Sequence, residues 1–431
     1  MPDSRDWMTA EQAAAHLGVT RQTLYAYVSR GHLRGHVQAG RRERRYRRLE
    51  VERLALRHAS ARQPRRVAVQ TLDWGLPVLT SQLTLIDGGQ LSYRGHDAVA
   101  WAATATLEDT AALLWGCDRD AAFVAPPPLP DASTRAALRR LAATAQGPAR
   151  LTAAWPLLAQ VAAPELPRHA VAAHWLQAMA LAVTLQVPSH HRTGQGPRPL
   201  HQQLRQAWRL PPAADDALRQ ALVLCADHEL NASSFTARCV AATGAGLAAA
   251  VTAGLAALSG PRHGAMTMRV EAMWPAVEAA SRTPARLRRW IDAEATRQQA
   301  QRLARGLPRI AGDTLPGFGH PLYPDGDPRA RALLALLPAD AARERFVAMV
   351  QERIGQAPAL DFALVALRRS LGAPEGAAFS LFALARTAGW IAHALEQQDS
   401  GALIRPRAAY VGPRPDRAAP PPPAGRVIRR R

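Results

Sequence analysis

The sequence has no lysine, and all 54 of its basic residues are arginine. Exclusive use of one basic residue points to a compositional bias of the genome. The formal charge of +20 is therefore no nucleic-acid signal by its size alone. Cysteine is scarce too. Cys117, Cys225 and Cys239 are scattered and odd in number, which argues against a disulfide framework or a metal site and fits a reducing cytoplasm. No long run of large apolar residues is present. Residues 239–258 carry no charge, but Ala, Gly and Thr dominate them and gain little from lipid. A buried or subunit-facing helix is expected there, with no membrane partner. The opening Met1 to Asp6 holds two acids and no apolar core, so no secretory signal is expected. Period-two runs of Val, Ile and aromatics are nearly absent, apart from residues 83–93. There an Asp87-Gly88-Gly89 turn between two short extended runs predicts a hairpin.

What is present sorts into zones. A length of 431 residues allows two or three domains, and 48% hydrophobic residues are enough for cores. Residues 1–66 carry a balance of +9 and residues 405–431 one of +7, which leaves the long middle close to neutral. The divisions expected are a basic domain over 1–58, a linker over 59–73, a body over 74–412 and a basic Pro/Arg tail over 413–431. The tail cannot build a core and is expected to be disordered.

In the first zone, Thr9 is placed to cap a helix that Gly18 closes, and Thr20 to cap a second helix over 21–29. Two helices joined by a short Gly-containing turn form a helix-turn-helix, whose second helix enters the major groove. Arg21, Gln22, Tyr25 and Arg30 are the candidates for DNA contact. A basic loop over 41–48 follows, with a third helix over 49–54. The phrase Arg44-Arg45-Tyr46-Arg47-Arg48-Leu49-Glu50-Val51 resembles the wing of the excisionase-like and MerR-like winged helix-turn-helix family. That resemblance implies phosphate contacts from the basic loop, with Arg44 and Arg45 among them. A small helical module whose arginines are merely solvated is the alternative.

The body places apolar residues at three- and four-residue spacing over 106–114, 136–143, 170–185, 217–226 and 375–397. It is expected to be all-α. Four phrases combine titratable and turn-forming residues: Asp227-His228-Glu229-Leu230-Asn231-Ala232-Ser233, Gly260-Pro261-Arg262-His263-Gly264, Pro316-Gly317-Phe318-Gly319-His320 with Asp327-Pro328-Arg329, and Asp361 between apolar runs. Each alone is equally a cap, a bend or a satisfied core group. A buried acid such as Asp361 is nonetheless costly without a purpose.

Together, in this order, they resemble the citrate synthase family. The likeness opens at Ile86-Asp87-Gly88 and Leu91-Ser92-Tyr93-Arg94-Gly95, and closes at Arg386-Thr387-Ala388-Gly389-Trp390 and Arg405-Pro406-Arg407. It implies large and small helical domains and a homodimer. It further implies that Asp361 is the base on the methyl of an acyl-CoA, that His263 donates to the thioester oxygen, and that His320 polarises and protonates the keto group of an oxaloacetate-like acceptor. His228 would help hold that acceptor. Arg329, Arg386 and Arg405 would clamp its carboxylates, the last across a dimer interface. The loop Pro316, Gly317, Phe318, Gly319 would cradle the adenine end of CoA through backbone groups. CoA is then a substrate, and no cofactor or metal is expected.

The chain departs from the family's pattern at three places. Ala265-Met266-Thr267 follows the catalytic bend where the family has Gly-Ala-Asn, Ala359-Leu360 precedes the base where it has Asn-Val, and Pro321 and Pro324 stand where it carries basic residues. The activity expected is condensation of acetyl-CoA with oxaloacetate to citrate, with propionyl-CoA and 2-methylcitrate within reach because one methylene shifts binding by only about 1–3 kcal/mol. The alternative of another class is a transcriptional regulator whose body senses a CoA ester or organic acid. A weaker one is that the basic ends anchor an enzyme to polyanions.

Overall fold

A computed structural model describes residues 7–30, 32–37, 44–48, 50, 51, 54, 79–125, 130–160, 165–185, 198–304, 315–408 and 412. The linker expected over 59–73 and the tail expected over 413–431 lie outside these. Two compact units result, an N-terminal one and the body Ser81–Ile404.

The N-terminal unit begins with an unanticipated strand, Trp7–Met8, which pairs antiparallel with Arg44–Arg47; that strand also pairs with Gly35–Val37. Thr9 caps helix Ala10–Leu17 in a capping box with Gln12, and Gly18 ends it in the left-handed region. Thr20 caps Arg21–Ser29. Leu24, Leu33, Tyr46 and Val51 close a small core. The segment expected as a basic loop over 41–48 is in part a strand. Tyr46 is the reason: it is fully buried, so the alternation about it holds Arg44–Arg47 extended against the core. Residues 41–43 lie outside the described ones.

In the body, Thr84–Asp87 and Gln90–Tyr93 form the expected hairpin. Gly88 and Gly89 both have positive φ, which a two-residue turn of this hand requires. Everything else of length is helical. The helix Ala377–Ser400 is apolar around its whole circumference and buried along nearly all of it. Its length and composition would suit a bilayer, but its neighbours Leu107–Trp115, Arg168–Thr184, Asp215–Cys225, Ala232–Ala241 and Leu247–Leu258 enclose it, as they do a core helix. The uncharged stretch 239–258 is not one helix. It breaks between Ala232–Ala241 and Leu247–Leu258, where Gly244 takes a positive φ.

A second group of helices, Met266–Ala280, Pro284–Ala304, Pro328–Ala335, Ala341–Ile354 and Leu360–Leu371, packs on itself and touches the first group through Asp215–Cys225 and Ala377–Ser400. An aromatic cluster of Phe318, Phe346, Phe362 and Trp274 fills it. The two groups carry different halves of the candidate site.

Candidate active site

The first group supplies His228, His263 and Arg386. Asp215–Cys225 ends just before Asp227-His228, and Asn231 caps the next helix by accepting from the N–H groups of Ser233 and Ser234 at 3.1 Å each. Behind His228 the long helix comes very close. Gly389 N–H donates to Ala226 O at 3.1 Å, and a Cβ at Gly389 would lie 2.5 Å from that oxygen and closer still to Asp227 Oδ1. Asp227 is fully buried. It accepts from Thr84 Oγ1 and lies 3.3 Å from His393 Nε2. Burial opposes its charge, but His393, Arg386 and Thr84 together outweigh that and keep its carboxyl below the usual range.

The second group supplies His320, Arg329 and Asp361. Residues 315–319 run beside 357–359: Gly319 N–H donates to Ala357 O at 2.9 Å and Ala359 N–H to Gly317 O at 2.8 Å. This ladder sets His320 and Asp361, one residue after the first segment and two after the second, on neighbouring strands of chain. Asp327 caps Pro328–Ala335 and chelates Arg329, accepting from Nε at 2.9 Å and Nη2 at 2.8 Å; it also accepts from Leu360 N–H at 3.2 Å.

These groups form one electrostatic cluster. His228 and His320 meet edge to face with centroids 5.2 Å apart. Burial first, then Arg329 and its neighbours, hold His228 well below the ordinary histidine range. Burial lowers His320 to about 4, with Arg329 adding to it, and lowers His263 to about 3, with Arg386 adding to it. All three are therefore neutral at pH 7, each with one N–H and one lone pair. For His320 the assignment follows from its contacts. Nδ1 accepts the Leu322 N–H at 3.3 Å, so the proton stands at Nε2. For His263, Nε2 lies 2.8 Å from Ser233 Oγ, which donates its proton to Asn231 Oδ1 at 2.7 Å and takes the Trp390 indole N–H at 3.0 Å.

Asp361 stands in the first turn of Leu360–Leu371. The residue keeps a little exposure, but its Oδ1 is enclosed and has no partner among the described residues. Burial raises it to about 7, with Asp327 adding to the rise and Arg329 and Arg386 opposing it. A carboxyl there sits where a general base works best. Arg386 is buried and gives Nε to Cys225 O at 2.8 Å. Its guanidinium lies 4.9 Å over the Phe382 ring, and Nη2 is buried without a partner among the described residues. A buried cation with an unspent donor suits an anionic ligand.

The structure thus brings together His228, His263, His320, Asp361, Arg329 and Arg386. It qualifies three expectations. Two forks of the Arg329 guanidinium are held by Asp327, because an otherwise unpaired buried carboxylate there would be costly. Pro316, Gly317 and Phe318 are buried, and the Gly317 carbonyl and Gly319 amide are already bonded to residues 357–359, so the expected adenine cradle has these groups turned into the fold. Arg405 lies past the end of the body unit and is exposed, so it is not among the groups assembled here. Sequence reasoning missed Ser233, Asp327 and Tyr323 as partners of the site. Ser233 and Asp327 stood within the quoted phrases, whereas Tyr323 sits between two prolines with no pattern to announce it. In the N-terminal unit, Arg21, Gln22 and Tyr25 are exposed on the second helix, Arg30 is exposed at its C-terminal cap, Arg44 is exposed, and Arg45 is half-buried.

Comparison with known proteins follows these lines. Residues 71–407 match the family described as citrate synthase, C-terminal domain. The chain belongs to the citrate synthase family. Residues 7–59 match a helix-turn-helix domain family. Citrate synthase 2 of Bacillus subtilis (strain 168) is 32% identical over 212 residues, 47% of this chain and 52% of that protein. For 2-methylcitrate synthase 1 of Corynebacterium glutamicum the identity is 32% over 212 residues, 46% and 51% of the two chains. The chain spans about half the length of the curated relatives it matches. Among solved structures, citrate synthase from Thermotoga maritima aligns at a TM-score of 0.62 and 24% identity, over 80% of this chain and 96% of that one. A ternary complex of the Thermoplasma acidophilum citrate synthase with carboxymethyl coenzyme A and oxaloacetate aligns at 0.61, also at 24% identity over 80% and 96%. These likenesses establish a citrate synthase fold for the body.

Proposed function

We propose that the body is an acyl-CoA condensing enzyme that joins acetyl-CoA to oxaloacetate, forming citrate and releasing CoA by hydrolysis. The observation that carries this reading is Asp361: an enclosed carboxyl tuned to about 7 in one cluster with neutral histidines and a buried arginine. Asp361 removes a methyl proton, and His263 stabilises the enolate oxygen. His320, with its proton at Nε2, donates to the acceptor's keto oxygen as the new carbon–carbon bond forms. Arg386 takes an acceptor carboxylate, His228 helps to orient the acceptor, and the Arg329 Nη1 left over by Asp327 faces the second carboxylate. CoA acts as a substrate, and no separate cofactor enters these steps. Propionyl-CoA and 2-methylcitrate are the finer alternative, in keeping with the names of some relatives. A homodimer in a reducing cytoplasm, with Arg405 given by the partner subunit, and a place in central carboxylic-acid metabolism belong to this reading.

The test is free-thiol release from acetyl-CoA or propionyl-CoA with oxaloacetate. A folded protein that releases thiol from neither sinks the reading.

A second reading rests on the exposed Arg21, Gln22 and Tyr25 on the second helix of the N-terminal unit and the exposed Arg30 at its C-terminal cap. We propose that this unit binds DNA, so that the chain is either bifunctional or a regulator whose body senses a CoA ester or 2-oxo acid. A dimer would then select half-sites about 34–36 Å apart, or a multiple of that. Absence of sequence-selective binding across DNA from its own gene neighbourhood would count against it.

A further inference from the structure

Tyr323 lies in the turn after His320, with its N–H donating to His320 O at 2.9 Å, and only 2% of the residue is exposed. Its ring is wedged among three groups of the site. The centroid is 5.0 Å from His320 and 5.6 Å from His228, and the Arg329 guanidinium lies 5.4 Å over its face. Its hydroxyl has one hydrogen-bond partner among the described residues, His228 Nε2 at 2.9 Å. His228 Nδ1 has none among them, and is the ring nitrogen left for a ligand.

One proton lies between the phenol oxygen and Nε2. If His228 supplied it, the phenol proton would need another buried acceptor, and the described residues offer none. If Tyr323 supplies it, both groups are satisfied. We infer that Tyr323 is a positioning residue that fixes the tautomer of His228, donating to Nε2 so that the only imidazole N–H stands at Nδ1, toward the acceptor. The cations around His228 work in the same direction. Burial comes first, and with Arg329 and Arg386 it disfavours a doubly protonated ring, so a choice of tautomer is all that remains. The consequence for the acceptor rests on the condensing reading; the tautomer itself does not.

The test uses the full chain labelled with ¹⁵N-histidine, with His228→Asn to assign the resonances. Wild type should show a protonated Nδ1 and a bare Nε2 at His228, and Tyr323→Phe should show a mixture of tautomers. Calorimetry with oxaloacetate alone should find about tenfold weaker binding in Tyr323→Phe, with the KM for acyl-CoA unchanged. A protonated Nε2 in wild type, or an unchanged His228 spectrum in a folded Tyr323→Phe protein, overturns the inference. Should that variant not fold, the wild-type spectrum alone decides. Should wild type bind no oxaloacetate, the condensing reading fails, and the nitrogen shifts still decide the role of Tyr323.

Discussion

Asp361→Asn separates catalysis from stability, and the structure sets both the sign and the size of the effect. The carboxyl is raised from 3.8 to about 7, chiefly by burial. A raised acid contributes most to stability below its unfolded pKa, and that contribution is lost as pH climbs through the folded value. A tenfold change in proton affinity corresponds to about 1.4 kcal/mol, so full burial would cost the ionised protein roughly 4 kcal/mol. The introduced amide brings its own unmet donors, a cost of roughly 1–3 kcal/mol that does not vary with pH. The signature is therefore a slope and not an offset. The variant's unfolding free energy minus that of wild type should be flat below pH 4, rise by about 4 kcal/mol between pH 4 and 7, and flatten above. Urea unfolding of both proteins at closely spaced pH values measures it, because every other titrating group cancels. Thiol release should rise with pH through about 7 in wild type and be absent in the variant. A difference that stays constant from pH 4 to 8 would refute the assignment of Asp361 as an enclosed, raised carboxyl.

Gly389→Ala should destabilise despite the better helix propensity of alanine, worth about 1 kcal/mol. The added carbon meets Ala226 O and Asp227 at contact too close to hold, so overpacking of about 1–3 kcal/mol plus a weakened buried hydrogen bond wins, and a lowered urea midpoint with lost thiol release checks it. Arg386→Lys keeps the charge but loses the fork and the bond to Cys225 O; calorimetry should find acceptor binding weaker by about 10–100-fold, with the KM for acyl-CoA little changed. Paired replacement of Arg21 and Arg30 by Ala should leave thiol release intact and lower the slope of DNA affinity against salt concentration by one to two phosphate contacts, each contributing about 0.9.

The helical body was legible because its apolar positions recur at helical spacing, and the caps at Thr9 and Thr20 because their side chains act within one turn. The hairpin was legible from Asp87-Gly88-Gly89 for the same local reason. Tertiary facts were not. Arg44–Arg47 reads as a basic loop until Tyr46 is known to be buried, and the Trp7–Met8 strand exists only because that strand offers it an edge. The four site phrases could be found in the sequence, but not the distribution of their hydrogen bonds. Nothing local says that Asp327 would occupy two forks of Arg329, or that Tyr323 would reach His228.

That distribution also accounts for the departures around the site. Ala359 and Leu360 stand where the family has Asn-Val before Asp361, yet what the structure draws from them is backbone: Ala359 N–H to Gly317 O and Leu360 N–H to Asp327 Oδ2. Any residue but proline supplies these. The same holds after His263, where Met266 N–H returns to His263 O and Thr267 Oγ1 merely closes on Gly264 O. The groups that must bear a proton or a charge act through side chains and are retained, whereas the positions that have drifted hold their neighbours through the main chain. Asp327 joins the two sets. One buried carboxylate grips Arg329 by its side chain and the helix that carries Asp361 by its first amide, so the spacing between Arg329 and Asp361 is set without the residues that the family usually places beside them.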